Sequence, residues 1–248
     1  LDHFLEGLEN GWDRHPPVRL AITEAGPDPV TVLQEDAWPP RDVAWKKLPL
    51  GADTKSMRLD GKFPAAVAKV SLPEGRLSFL WTVPEDMDVI GQMPLYLHLE
   101  VRGPADALLF AGLRKRRNGR EITFEGSYGF SGAMVSKGWQ RAAHRDLDTE
   151  LSTPERPVYT HCKVQLLQPG EVVPIAIAML PQATRLSKGD QLRLEHQGCW
   201  FYSKSQLRSQ YPASYEKSPN ATCIFHTGGD SPTYLLLATR TSISGKGQ

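Results

Sequence analysis

No stretch of the 248-residue chain is apolar for the roughly 20 residues that a membrane-spanning helix requires, so no membrane partner is expected. A secretory signal is not expected either, because the first residues have no basic start followed by an apolar segment. Cysteine is scarce. Cys162, Cys199 and Cys223 show no CxxC spacing, and their odd number leaves at least one thiol free. Buried, reduced cysteines in a cytoplasmic protein are the expectation. Asn220-Ala221-Thr222 fits the N-glycosylation sequon, but such triplets arise often by chance, and this one alone does not place the protein outside the cell. An excess of one charge is lacking as well: 29 Lys and Arg stand against 28 Asp and Glu, a net charge of +1. That balance argues against nucleic acid as a partner, since phosphate binding needs a basic stripe. The densest basic run, Arg114-Lys115-Arg116-Arg117 before Asn118-Gly119, reads as a charged hairpin tip following a strand.

What the chain has is short-range alternation. Val18, Leu20 and Ile22 alternate with Arg19, Ala21 and Thr23, and Leu77, Phe79, Trp81 and Val83 alternate in the same way. Leu95, Leu97, Leu99 and Val101 interleave with Tyr96, His98, Glu100 and Arg102; Val173, Ile175, Ile177 and Met179 repeat the pattern, as do Leu192 and Leu194. A period of two puts one face on a core and the other in water, the habit of antiparallel sheets. Leu108-Leu109-Phe110-Ala111 and Tyr234-Leu235-Leu236-Leu237 are continuous apolar runs, expected of strands covered on both faces. Gly and Pro, 21 and 20 of them, punctuate these runs. Many short strands without a long helical segment predict an all-β sandwich or barrel over residues 17–240, with a small, polar, frayed tail at 241–248.

The opening differs. Leu1, Phe4, Leu5 and Leu8 fall at i, i+3, i+4 and i+7, one face of a helix, which Gly11 and Pro16-Pro17 then close. Residues 1–16 are therefore expected to form a linker helix whose apolar stripe meets a domain upstream of Leu1. The alternative is a helix folded back onto its own sandwich.

Chemistry is hard to find. Gly126-Ser127-Tyr128-Gly129-Phe130-Ser131-Gly132 invites comparison with a nucleophile elbow, but Gly129, Ser131 and Ala133 miss the final glycine and no helix-period segment follows. The seven histidines, His3, His15, His98, His144, His161, His196 and His226, lack zinc-site spacing. Asp146, Asp148 and Glu150 alternate as calcium ligands can, without a supporting glycine turn. No metal, cofactor or catalytic residue is assigned. The aromatics say more. Trp38 lies in a loop, and Trp200-Phe201-Tyr202 follow a strand end, where three consecutive rings cannot all face one core. They are candidates for a ligand or domain contact, with packing in a sandwich corner as the alternative.

Several segments, in order, resemble the C-terminal domain of the cocaine esterase and X-Pro dipeptidyl-peptidase family of serine hydrolases. They are Asp2-His3-Phe4-Leu5-Glu6-Gly7, Asn10-Gly11-Trp12, Pro17-Val18-Arg19-Leu20, Trp38-Pro39, Ala143-His144-Arg145-Asp146-Leu147-Asp148, Ser152-Thr153-Pro154-Glu155-Arg156-Pro157, Leu167-Gln168-Pro169-Gly170-Glu171, Gly189-Asp190-Gln191-Leu192-Arg193-Leu194, and His226-Thr227-Gly228-Gly229 with Tyr234-Leu235-Leu236-Leu237. The resemblance implies a jelly-roll sandwich, similar in shape to galactose-binding modules, packed on an upstream α/β-hydrolase domain. It also implies that the Ser-Asp-His triad lies in that domain, so that no catalytic residue falls in this chain. Leu1, Phe4, Leu5 and Leu8 would face the catalytic unit, and Trp38, Trp200, Phe201 and Tyr202 are candidates for the substrate entrance. Cys199-Trp200-Phe201-Tyr202 departs from the polar, proline-containing loop usual there. Members of the family hydrolyse esters, amides or Xaa-Pro peptides. A carbohydrate-binding module and a homo-oligomerisation domain are the competing readings.

Overall fold

A computed structural model describes residues 1–26, 28–125, 131–202 and 217–242. The chain opens with a single helical turn, α1 (Asp2–Leu5), and a 3-10 turn at Trp12–Arg14. This is shorter than the apolar spacing suggests. Gly7 adopts a left-handed backbone (φ 67°), and the Leu8 N–H turns back to the Asp2 carbonyl at 3.3 Å. A glycine in that conformation ends a helix at little steric cost.

Apart from a 3-10 turn at Ala142–His144, the other regular elements among the described residues are strands: β1 (Val18–Thr23), β2 (Pro29–Glu35), β3 (Ala44–Gly51), β4 (Ser56–Met57), β5 (Ala66–Leu72), β6 (Arg76–Thr82), β7 (Met87–Gly91), β8 (Leu95–Arg102) and β9 (Leu108–Arg117). After these come β10 (Arg120–Ile122), β11 (Phe124–Glu125), β12 (Ser131–Ala133), β13 (Ser136–Arg141), β14 (Val172–Ile177), β15 (Gln182–Leu186), β16 (Gln191–Gln197), β17 (Ala221–Thr227) and β18 (Tyr234–Thr241). Thr241, expected in the frayed tail, is the last residue of β18, and residues 243–248 lie outside the described residues. So does most of the glycine-rich stretch at 126–132.

The strands form an all-β sandwich. One layer runs β14-β8-β17-β5, with β18 joining β8 at Leu235↔Leu95. The facing layer runs β13-β9-β16-β6, with β10 also on β9. Strand β3 pairs with β18 in one layer and with β4 of the other, so the hydrogen-bonded network is continuous.

Alternation explains the core. Leu95, Leu97, Leu99 and Val101 of β8 are buried with Val173, Ile175 and Ile177 of β14. Leu77, Phe79 and Trp81 of β6, Leu109, Ala111 and Leu113 of β9, and Leu192 and Leu194 of β16 belong to the same cluster. Each fully buried Leu, Ile or Phe contributes about 1.5–3 kcal/mol relative to exposure. Leu20, Ile22 and Ile90 form a separate small cluster that seats the β1–β2 hairpin against β7 and β15.

The basic run corrects the sequence reading. Arg114–Arg117 lies inside β9 rather than at a hairpin tip; the tip is Asn118-Gly119, between β9 and β10. Lys115 continues the inward phase of Leu109, Ala111 and Leu113 and is fully buried. Its Nζ donates to the carbonyl oxygens of Glu24 (3.0 Å) and Arg185 (2.8 Å) and pairs with Asp190 Oδ2 at 3.2 Å. The Arg117 guanidinium grips both oxygens of Asp190, at 2.7 and 2.9 Å, and also reaches Glu24 and Ser187. These are structural ion pairs.

Candidate functional site

The outer face of the β13-β9-β16 layer carries the aromatic cluster. On β9, Phe110 and Gly112 point outward, and the antiparallel register of β13 sets Trp139 opposite Phe110 and Lys137 opposite Gly112. Beyond the end of β16, Trp200-Phe201-Tyr202 lie across this face. Trp200 meets Phe110 edge-on at 5.8 Å between ring centres and Trp139 at 5.7 Å. Phe201 meets Phe110 at 6.5 Å. The Lys137 ammonium sits 5.6 Å from the Trp200 ring centre and 5.3 Å from that of Tyr202, a cation–π arrangement. Burial pushes the Lys137 pKa below the usual lysine range.

Gly112 makes this stacking feasible. A side chain there would bring its Cβ within 2.7 Å of Met134 Sδ and 2.8 Å of the Phe201 ring. The continuous apolar run of β9 thus has a simple cause: its inner face meets the core, and its outer face meets Trp200 and Phe201. All three rings of 200–202 are half-buried on the outside of a layer, and Trp139 is half exposed beside them. Sequence reasoning missed Trp139 and Lys137, because only pairing of β13 with β9 brings them to the Trp200 ring. Trp38 stands apart, in the β2–β3 connection, where its neighbour Pro39 approaches Gly91.

At the N-terminus Leu1, Phe4, Leu5 and Leu8 are exposed, Leu1 at 90 % and Leu5 at 75 %. The rings of His3, Phe4, Trp12 and His15 form a ladder of edge-to-face contacts 4.9–6.2 Å apart, with Trp12 also exposed. This apolar surface does not fold back onto the sandwich.

The ionisable groups hold structure. Asp148 accepts from the N–H groups of Glu150 and Leu151, and Asp146 accepts from Thr160, so two of the three acids of the alternating stretch have turn partners. Among the described residues, no three His, Cys, Asp or Glu side chains converge as a metal site. His98 and His226 face each other across β8 and β17, and His226 Nε2 lies 3.5 Å from Glu100 Oε2. Burial lowers the His98 pKa, and His226 lowers it further. Of the cysteines, Cys223 is buried and Cys199 half-buried, whereas Cys162 is exposed, against the expectation that all are buried. No described helix is long and apolar enough to cross a membrane.

Residues 10–236 match the family described as the X-Pro dipeptidyl-peptidase C-terminal non-catalytic domain. The chain belongs to that family. No curated protein sequence matches it. Among solved structures, the chain resembles a CocE/NonD family hydrolase from Staphylococcus aureus, with a TM-score of 0.88 and 25 % identity over 96 % of this chain and 44 % of that one. An aminopeptidase from a marine sediment Thaumarchaeota archaeon shares the fold, with a TM-score of 0.66 and 16 % identity over 97 % and 43 %. So does an α-amino acid ester hydrolase, with a TM-score of 0.58 and 15 % identity over 91 % and 41 %. The chain spans less than half the length of each of these structures.

Proposed function

We propose that this chain is the accessory sandwich of a serine hydrolase acting on esters, amides or Xaa-Pro peptides. In this reading it packs on an α/β-hydrolase catalytic unit and helps shape the substrate entrance, while the Ser-Asp-His triad resides in that unit. One observation carries the reading: Leu1, Phe4, Leu5, Leu8 and Trp12 form an apolar strip that the sandwich leaves uncovered. Patches of this kind mark contact surfaces, and the family membership supports a hydrolase unit as what covers it.

The test is esterase activity on p-nitrophenyl acetate. The 248-residue chain is expected to show no saturable, serine-reagent-sensitive turnover, and a protein extended upstream of Leu1 is expected to show it. Saturable turnover by the chain alone overturns the reading. Half-exposed Trp139 beside Trp200 and Lys137 favours a second reading, a carbohydrate-binding face. A glycan array without signal, or one whose signal survives Trp139→Ala, removes it.

A further inference from the structure

His196 is a buried titratable side chain that takes no part in the ion pairs or the aromatic cluster. It sits on β16 in the inward phase of Leu192 and Leu194 and is 1 % exposed. Both ring nitrogens are buried and without a hydrogen-bond partner. The ring lies between the layers, 5.0 Å from Phe225 of β17.

Among the described residues, its surroundings offer a charge nothing. Directly opposite on β6 is Leu77, and opposite on β9 is Ala111. Phe79, Leu109 and Leu113 continue those two inner faces, and Cys223 and Phe225 are the inner residues of β17. Of these only Cys223 titrates, and burial pushes its thiol up to about 12, so it is neutral. On the same strand Glu195 points to the outer face, where Arg114 and Arg193 bind it. Lys115 shares the inner face but pairs with Leu192, four positions along β16, and its ammonium is committed to Asp190.

We infer that His196 is an acid-sensitive lock between the two layers, closed while its imidazole is neutral and forced open when the ring takes a proton. Two unpaired nitrogens on a neutral ring already cost a core free energy, and an unpaired imidazolium costs it far more. Burial accordingly pushes the His196 pKa down to about 3. The unfolded chain binds the proton near pH 6.5. Stability from this group is therefore complete above about pH 6.5 and falls as pH drops toward the folded value. At pH 4.5 the folding constant should be lower by about 100-fold, or about 2.7 kcal/mol.

The experiment is urea unfolding of the 248-residue chain and of His196→Leu and His196→Met at pH 7.5 and pH 4.5. Both variants remove the titrating ring while keeping the site apolar. The variants are expected to lose about 100-fold less folding constant between the two pH values than the parent does. An equal loss in parent and variants overturns the inference. Should neither variant fold, the His196 ring is followed by NMR in the parent chain. No titration down to pH 4.5 in the folded state supports the lock, and a midpoint near pH 6.5 overturns it.

Discussion

Lys115 Nζ lies 3.2 Å from Asp190 Oδ2, and neither side chain reaches solvent to any useful extent. The pair joins β9 to the turn between β15 and β16, and the Glu24 carbonyl beyond β1 accepts from the same ammonium. Its two ends are not equally supported. Asp190 keeps the Arg117 fork and the Ser187 N–H if Lys115 is removed. Lys115 keeps two carbonyl oxygens, of Glu24 and Arg185, as its partners among the described residues if Asp190 is neutralised. Asp190→Asn should therefore cost about 3–5 kcal/mol, the usual result of stranding a buried charge. Lys115→Met should cost about 1–3 kcal/mol, chiefly from unpaired carbonyls. Urea unfolding at neutral pH checks the order. The carboxyl adds a pH signature: burial raises its pKa, but Arg117, the Ser187 N–H and Lys115 outweigh that and hold it below the usual range. Its contribution is present above about pH 4 and is lost as pH falls through the lowered folded value. That window lies below the onset expected for His196.

Gly112 and Phe201 are coupled. Replacing Gly112 by Val puts methyl groups where Met134 Sδ and the Phe201 ring already sit. Overpacking of this kind costs about 1–3 kcal/mol. Because Phe201 adjoins Trp200, the variant should also change tryptophan fluorescence as Trp200 leaves Phe110. Thermal unfolding together with the emission spectrum tests both expectations.

The N-terminal strip should be dispensable for the sandwich itself. Phe4→Asp with Leu5→Asp is expected to move the unfolding free energy of the chain by less than about 0.5 kcal/mol, as exposed substitutions do. Binding of an apolar dye should fall at the same time. A loss of more than about 2 kcal/mol would mean that the strip packs on the sandwich after all.

The cysteines should react in the order of their exposure. Cys162 is open to solvent, with its Sγ donating to the Thr160 carbonyl, and should label first with a thiol reagent at pH 8. Cys199 should follow slowly. Cys223, buried and held neutral, should label only with global unfolding, so its rate reports the opening of the core.

Much of the fold was legible because a period of two is a local property. Leu95, Leu97, Leu99 and Val101 reveal their common face without any knowledge of what covers it, and the same holds for β6, β14 and β16. The phase also ran through Lys115, but charge suggested solvent, and the partners that reverse that reading are Asp190 and two carbonyls remote in sequence. Trp200, Phe201 and Tyr202 were legible as rings in excess of one core. Their platform was not, since it needs the register that sets Trp139 against Phe110 and Lys137 against Gly112. The sequence by itself determined the family and the inward faces, both carried by residue order and short-range period. Only the tertiary structure decided which polar side chains are buried and which rings stack, because those depend on what faces each residue across the sheet and between layers.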